Sequence, residues 1–168
     1  RALLLDRIAG SRESHERTFG IPFPAVRFVD SADLGSLDYR ISIHGVPYGT
    51  GQLHPDRLLA IAQRDDAAKL NGIQGRDSAF GLPGIWIERG LAKEAEEGGY
   101  SVVDPETVML THFVETMKLE AATLLTRGVT GQLLDQLRER QPGLVEELIP
   151  NVLTVSDVQR VLQNLLQE

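Results

Sequence analysis

Four histidines, His15, His44, His54 and His112, are the side chains here best suited to hold a metal or move a proton, and their spacing favours neither task. No two stand four residues apart, as paired zinc ligands on one helix face would, so a zinc site would need the fold to gather them. His112 and Glu115 are one helical turn apart and could form the acid–base pair of a small hydrolase. No nucleophile elbow or oxyanion-hole motif accompanies that pair. Thr111-His112, polar amid apolar neighbours, also reads as a helix-packing pair. Gly45 to Gly51 is glycine-rich but lacks the Gly-Lys-Ser/Thr that a phosphate loop needs. The carboxylates Glu94, Glu96 and Glu97, and Glu146 with Glu147, fit solvated helix faces better than an acid–base site. The pattern therefore points to contact with a partner, not to bond-breaking, and no cofactor is expected.

The segment Asp77-Ser-Ala-Phe-Gly-Leu-Pro-Gly-Ile-Trp-Ile87 carries that contact chemistry. It places Phe80 and the one tryptophan, Trp86, where a surface loop is expected, after the polar run Asn71 to Arg76. Gly81 and the Leu82-Pro83-Gly84 step predict turn conformations. A phenylalanine on such a turn, beside Asp77, either plugs a neighbouring module as core or marks a docking groove.

With 168 residues and 42% hydrophobic content, the chain can bury a core in one or two domains. Its formal net charge of −7 disfavours broad binding to nucleic acids or anionic membranes. The absence of cysteine removes disulfides, thiolate nucleophiles and cysteine metal sites. No apolar run approaches the ~18 residues that span a bilayer, and no signal-peptide pattern is present. Arg1 at the start and a helix-like pattern running into Glu168 suggest a fragment of a longer protein.

The elements that must position these groups fall into a mixed first part and a helical second part. A helix is predicted over Ala2 to Arg17, broken by Ile21-Pro-Phe-Pro24. Ala25 to Val29, Tyr39 to Ile43 and Val46 to Leu53 alternate with the period of strands, and Leu58 to Ile61 is a further short apolar run. A long polar connection precedes a strand at Ile85 to Ile87. A helix over Arg89 to Glu97, stopped by Gly98-Gly99, and a strand at Tyr100 to Val103 complete this part. Asp104-Pro105 is a strong helix start, a capping carboxylate followed by proline in the first turn. That helix carries Val108, Phe113, Met117, Leu124 and Leu125. Further helices are predicted from Thr130, from Pro142, and from the capping-box-like Thr154-Val-Ser-Asp157.

In order along the chain stand Gly81-Leu-Pro-Gly-Ile-Trp-Ile87, Gly99-Tyr-Ser-Val-Val-Asp104, Thr107-Val-Met-Leu-Thr-His112, Leu148-Ile-Pro-Asn151 and the segment from Val158 to Glu168. Together they closely resemble the cytoplasmic domain of the major export-gate protein of type III secretion systems, the FlhA/HrcV-type family of flagella and injectisomes. Tyr39 to Gly51 and Leu58 to Ile61 resemble the family as well. One departure is Gly84, where relatives often have alanine, which should loosen the turn.

The resemblance implies an α+β assembly of small subdomains. A discontinuous α/β first subdomain would take 1–55 and 105–124, an inserted ferredoxin-like (RRM-like) module 56–104, and a helical third subdomain 125–168. The helix after Asp104 would then reach back, through Val108, Phe113 or Met117, to Val26, Phe28, Ile41 or Ile43. The resemblance further implies a nonameric ring of the intact protein on the cytoplasmic side of the bacterial inner membrane. Its partners would be secretion chaperone–substrate complexes and other export-apparatus proteins, not nucleic acid, and its role would be protein export, not catalysis. Leu82-Pro83 favours an injectisome, with a flagellar gate as the alternative. The family's docking cleft, with its acidic residue, aromatic residue and threonine, maps onto Asp77, Phe80 and Thr111. Docking predicts Phe80 exposed and Asp77 on the rim. The inserted fold also suggests an RNA-binding module, which would need exposed aromatics on a basic sheet face; Leu58 to Ile61 offers no aromatic.

Overall fold

The computed structural model describes residues 7, 8, 10, 20, 25–64, 67 and 69–167. Most of the helix predicted over Ala2 to Arg17, and the break at Ile21 to Pro24, lie outside them, although Arg7, Ile8 and Gly10 are helical. The described residues divide into two units, one of Phe28–Thr116 and one of Met117 onward with residues 7, 8, 10, 20 and 25–27.

The first unit begins with the antiparallel hairpin of β1 (Asp38–Ile43) and β2 (Val46–Gln52). His44 (φ 51°) and Gly45 (φ 84°) form its two-residue turn, and both take the left-handed conformation that matches the twist of the flanking strands. The strand predicted over Ala25 to Val29 does not form. Period-two alternation marks an extended chain, but a strand also needs a partner, and among the described residues β1 pairs only with β2 in its sheet.

The second sheet contains β3 (Arg57–Ala62), β4 (Ile73–Arg76), β5 (Pro83–Glu88) and β6 (Tyr100–Val103), antiparallel throughout in the order β4-β5-β3-β6. Numbered along the chain this is 2-3-1-4, the order of a ferredoxin-like sheet. A 3₁₀ turn (Arg89–Leu91) and α1 (Ala92–Glu97) link β5 to β6, and Gly99 at φ 91° ends the helix as its sequence predicts. Strand β4 lies in what the sequence presents as a polar connection. Ile-Gln-Gly-Arg has no strand alternation, and Gly75 is required because an added Cβ would lie 2.7 Å from the Trp86 indole. Pro83 and Gly84 belong to β5, not to a turn. A Cβ at Gly84 would approach Leu59 Cδ1 to 2.8 Å, so this glycine permits close strand packing and does not loosen a turn.

Side chains alternate across this sheet and both faces are covered. Ala60, Ile87 and Leu70 pack with Ala95 of α1 on one face, while Leu59 and Trp86 pack on the other with Val108. Burial on both sides is why Leu58 to Ile61 and Ile85 to Ile87 read as unbroken apolar runs. Val108 belongs to α2 (Pro105–Leu119), whose start is capped as predicted: the Thr107 amide donates to Asp104 Oδ1 at 2.9 Å and its hydroxyl to Oδ2 at 2.6 Å. Val108 packs on Leu59 and Trp86, and His112 of α2 reaches β1 through Tyr39.

The helical pattern predicted from Asp104 to Leu125 is interrupted at Glu120, after which α3 (Ala121–Leu124) begins. Neither glycine nor proline marks this break, and nothing in the sequence signals it. In the second unit α4 (Arg127–Arg140) starts three residues before the predicted Thr130, because the Thr126 hydroxyl accepts from the Val129 amide. The buried Thr130 hydroxyl instead donates to the Thr126 carbonyl. Then come α5 (Pro142–Leu148), with proline in its first turn, and α6 (Val155–Leu165), opened by the full Thr154–Asp157 capping box. Gln159 and Gln163 of α6 donate to the carbonyls of Leu125 and Ala122. They satisfy acceptors at the end of α3 that no further helical turn could reach.

Candidate functional site

The predicted site residues occupy two elements of the first unit. Asp77 and Phe80 lie in the loop joining β4 to β5, and Thr111 lies on α2. The loop is a closed hairpin tip. The Asp77 amide donates to the Leu82 carbonyl at 2.8 Å and the Gly81 amide to the Asp77 carbonyl at 2.9 Å. Gly81 supplies the left-handed conformation (φ 69°) that reverses the chain.

The carboxylate of Asp77 turns back along the loop, and its Oδ2 accepts the Phe80 amide at 2.8 Å. Asp77 is only 5% exposed, whereas docking predicted it on a rim. The difference has a local cause: the side chain is used to hold the turn and so points inward. Phe80 is 61% exposed and Leu82 47% exposed, so the tip presents two apolar side chains to solvent on a backbone fixed from within. The core alternative for Phe80 is excluded by that exposure. Trp86 is the aromatic that fills the core, at 2% exposure.

Thr111 is half-buried, and the next residue, His112, is 7% exposed. His112 Nδ1 lies 2.7 Å from the Tyr39 hydroxyl, with the two rings edge to face at 5.6 Å between centroids. The Thr116 hydroxyl donates to the His112 carbonyl at 2.8 Å. Burial holds the imidazole below its ordinary range, against the opposing pull of the Asp77 carboxylate. Burial likewise raises the Tyr39 phenol, with neighbouring Ser78 pulling against it and the Asp77 charge adding to it. Asp77, Ser78, Tyr39, His112 and Thr116 thus form a polar cluster behind the hairpin tip. His112 Nδ1 is paired with Tyr39. Among the described residues no group of three His, Asp or Glu side chains could hold a metal ion.

The sequence marks Tyr39, Gly49 and Gly51 as parts of strands, and neither they nor Ser78 as site residues. The available signal was the glycine pair two residues apart in β2, which puts both on one face, with Gly51 paired across the ladder to Tyr39. The RNA-binding alternative is not supported either. Trp86 of the four-stranded sheet is packed beneath Val108 and is not an open stacking platform.

The FHIPEP family model matches residues 1–168. The chain is 41% identical over 165 residues to the flagellar biosynthesis protein FlhA of Bacillus subtilis, and equally so to that of Escherichia coli. Each alignment covers 98% of this chain and 24% of the relative, so the chain spans about a quarter of those proteins. Among solved structures, that of the Chlamydia pneumoniae CdsV and CdsO complex matches with a TM-score of 0.78 at 22% identity, covering 98% of this chain and 51% of the other. The nonameric EPEC SctV-C matches with a TM-score of 0.64 at 16% identity, covering 98% and 49%. The structural matches establish a shared α+β fold, and the family model together with the sequence identities shows that this chain belongs to the FHIPEP family.

Proposed function

We propose that the chain forms part of the cytoplasmic portion of a type III secretion export gate and docks chaperone–substrate complexes, with Phe80 as the aromatic anchor. The observation that carries this reading is the exposure of Phe80 at 61% on a tip that Asp77 holds in one conformation. A pre-ordered aromatic loses little conformational freedom on binding, which is what makes such residues anchors. Thr111 contributes the α2 side of the docking surface. Family membership supports the export role. A ring of the intact protein beneath the inner membrane is part of the proposal, supported by the nonameric state named for one structural relative. Export-apparatus proteins as further partners are supported by the CdsV and CdsO complex. No catalytic step is assigned.

Calorimetric titration of a cognate secretion chaperone–substrate complex into this chain tests the reading. Phe80→Ala should weaken docking roughly thirtyfold, the loss typical of an interface anchor. Its melting temperature should stay close to that of the parent, because an exposed side chain away from special features contributes within ~0.5 kcal/mol. Unchanged affinity in Phe80→Ala would reject the docking role. The finer assignment is to an injectisome, as Leu82-Pro83 suggests, or to a flagellum, as the curated relatives are named. Inactivating the gene decides it, through loss of effector secretion or loss of swimming.

A further inference from the structure

Strand β2 carries no side chain at the two places where the halves of the proposed docking site come down on it. Gly49 and Gly51 are two residues apart in an extended strand, so both face the same way, about 6.6 Å apart. Their ladder partners Ile41 and Tyr39 share that face, and Ile41 is buried. A Cβ at Gly49 would stand 2.8 Å from Nε2 of His112 and 3.3 Å from the Thr116 hydroxyl, both on α2. A Cβ at Gly51 would collide with the hydroxyl of Ser78, the residue after Asp77 in the hairpin tip. The tip therefore stands on Gly51 and α2 on Gly49, and one strand carries both.

Of the groups that meet at Gly51, the tip is the one that gives way to added bulk. The Tyr39 ring would lie 2.6 Å from the added carbon at both Cε1 and Cζ. It is held by its hydroxyl, 2.7 Å from His112 Nδ1, and His112 is itself buried over Gly49. Strand β2 is held by its ladder to β1. The tip is closed by bonds that join Asp77 to Phe80, Gly81 and Leu82, and these would survive a shift of the whole turn.

We propose that Gly51 is a positioning residue for docking: its bare backbone seats the 77–82 tip and, with Gly49 under α2, sets where Phe80 stands relative to Thr111. The seat acts by shape, because a close-packed contact fixes how near two elements can come without any bond between them. This inference rests on the docking role proposed above, and it concerns where the anchor stands, not what it touches.

Gly51→Ala is the direct test, with docking affinity read by calorimetry well below the melting range and melting followed separately. It should weaken docking about three- to tenfold, part of the roughly thirtyfold lost with the anchor itself, and lower the melting temperature through overpacking. Ile43→Val, which truncates the buried core of the same hairpin, reads destabilisation alone, and its docking should stay within about twofold of the parent. Gly51→Ala combined with Ser78→Ala, which removes the colliding hydroxyl, should dock within about twofold of Ser78→Ala by itself. Its melting temperature should stay low, because the added methyl still meets Tyr39. Ser78→Thr crowds the same contact from the tip side and should weaken docking about threefold with melting almost unchanged; it decides the matter if Gly51→Ala does not fold. Unchanged docking in Gly51→Ala, or in Ser78→Thr where that variant decides, would overturn the positioning role, since the serine would then simply turn aside. A docking loss that Ile43→Val reproduces, or that Ser78→Ala fails to recover, would overturn it as well. Phe80→Ala docking like the parent is a separate failure, that of the docking role itself, and the inference falls with it.

Discussion

Gly49 of β2 lies so close to His112 of α2 that a methyl group in place of its hydrogen would stand 2.8 Å from Nε2 and 2.9 Å from Cε1 of the ring. Thr116 Oγ, at 3.3 Å from the same point, limits the space on the other side. The imidazole cannot simply step aside, because it is buried and its Nδ1 is bonded to Tyr39. Gly49→Ala should therefore destabilise the chain by about 1–3 kcal/mol, the usual cost of overpacking a closed interior. Urea denaturation measures it. Pairing the change with His112→Ala should recover part of the loss, since the two sites share one space; purely additive losses would show that the contact is not the cause.

Stability should also depend on pH through His112. Its folded pKa is depressed, chiefly by burial, so the fold favours the neutral ring. The unfolded chain titrates near 6.5, and protonation there pulls the equilibrium toward unfolding. The contribution of His112 is thus fully present above about pH 6.5 and is lost as the pH falls from there through the lower folded value, at a slope of at most about 1.4 kcal/mol per pH unit. Denaturation midpoints at pH 7.5, 6.5 and 5.5 should fall for the parent and fall less for His112→Gln, which does not titrate. Parallel curves for the two proteins would remove His112 as the source.

Asp77 can be separated into its shape and its charge. Asparagine offers the same side-chain oxygen to the Phe80 amide that Asp77 Oδ2 now accepts at 2.8 Å, whereas alanine offers none. Asp77→Ala should therefore cost about 1–2 kcal/mol of stability, the penalty for a half-buried donor left without its acceptor, and should loosen Phe80. Asp77→Asn should retain most of the stability and most of the docking. Because the carboxylate is 5% exposed, salt should change the Ala effect little, unlike the screening expected of a rim charge. Comparable docking losses for Asn and Ala would mean that the charge itself meets the partner.

Much of the local structure was decided by short-range chemistry and was therefore legible in the sequence. Asp104-Pro105 caps and opens α2, Thr154 and Asp157 form the capping box of α6, and Gly99 closes α1, because each acts on backbone groups within a few residues. The strands holding Leu59 and Trp86 could be read from their apolar runs, since burial on both faces leaves that mark in composition. The motif order also carried the family. Asp77 and Phe80 could be named together because they share one turn.

What lay beyond the sequence depended on partners distant along the chain. Strand β4 exists because β5 pairs with it and Trp86 covers its glycine, while residues 25–29 have strand alternation but no partner strand among the described residues. The extent of burial of Asp77 and of Phe80 could not be read from a turn motif, because a motif fixes the path of the backbone and not which side chain faces the interior. The hydrogen bond between Tyr39 and His112 joins residues 73 positions apart, at a place where Gly49 and Gly51 bring β2 close. Hydrogen bonds across such separations are set by how the sheet, the hairpin and the helix pack, and only the tertiary structure decides that.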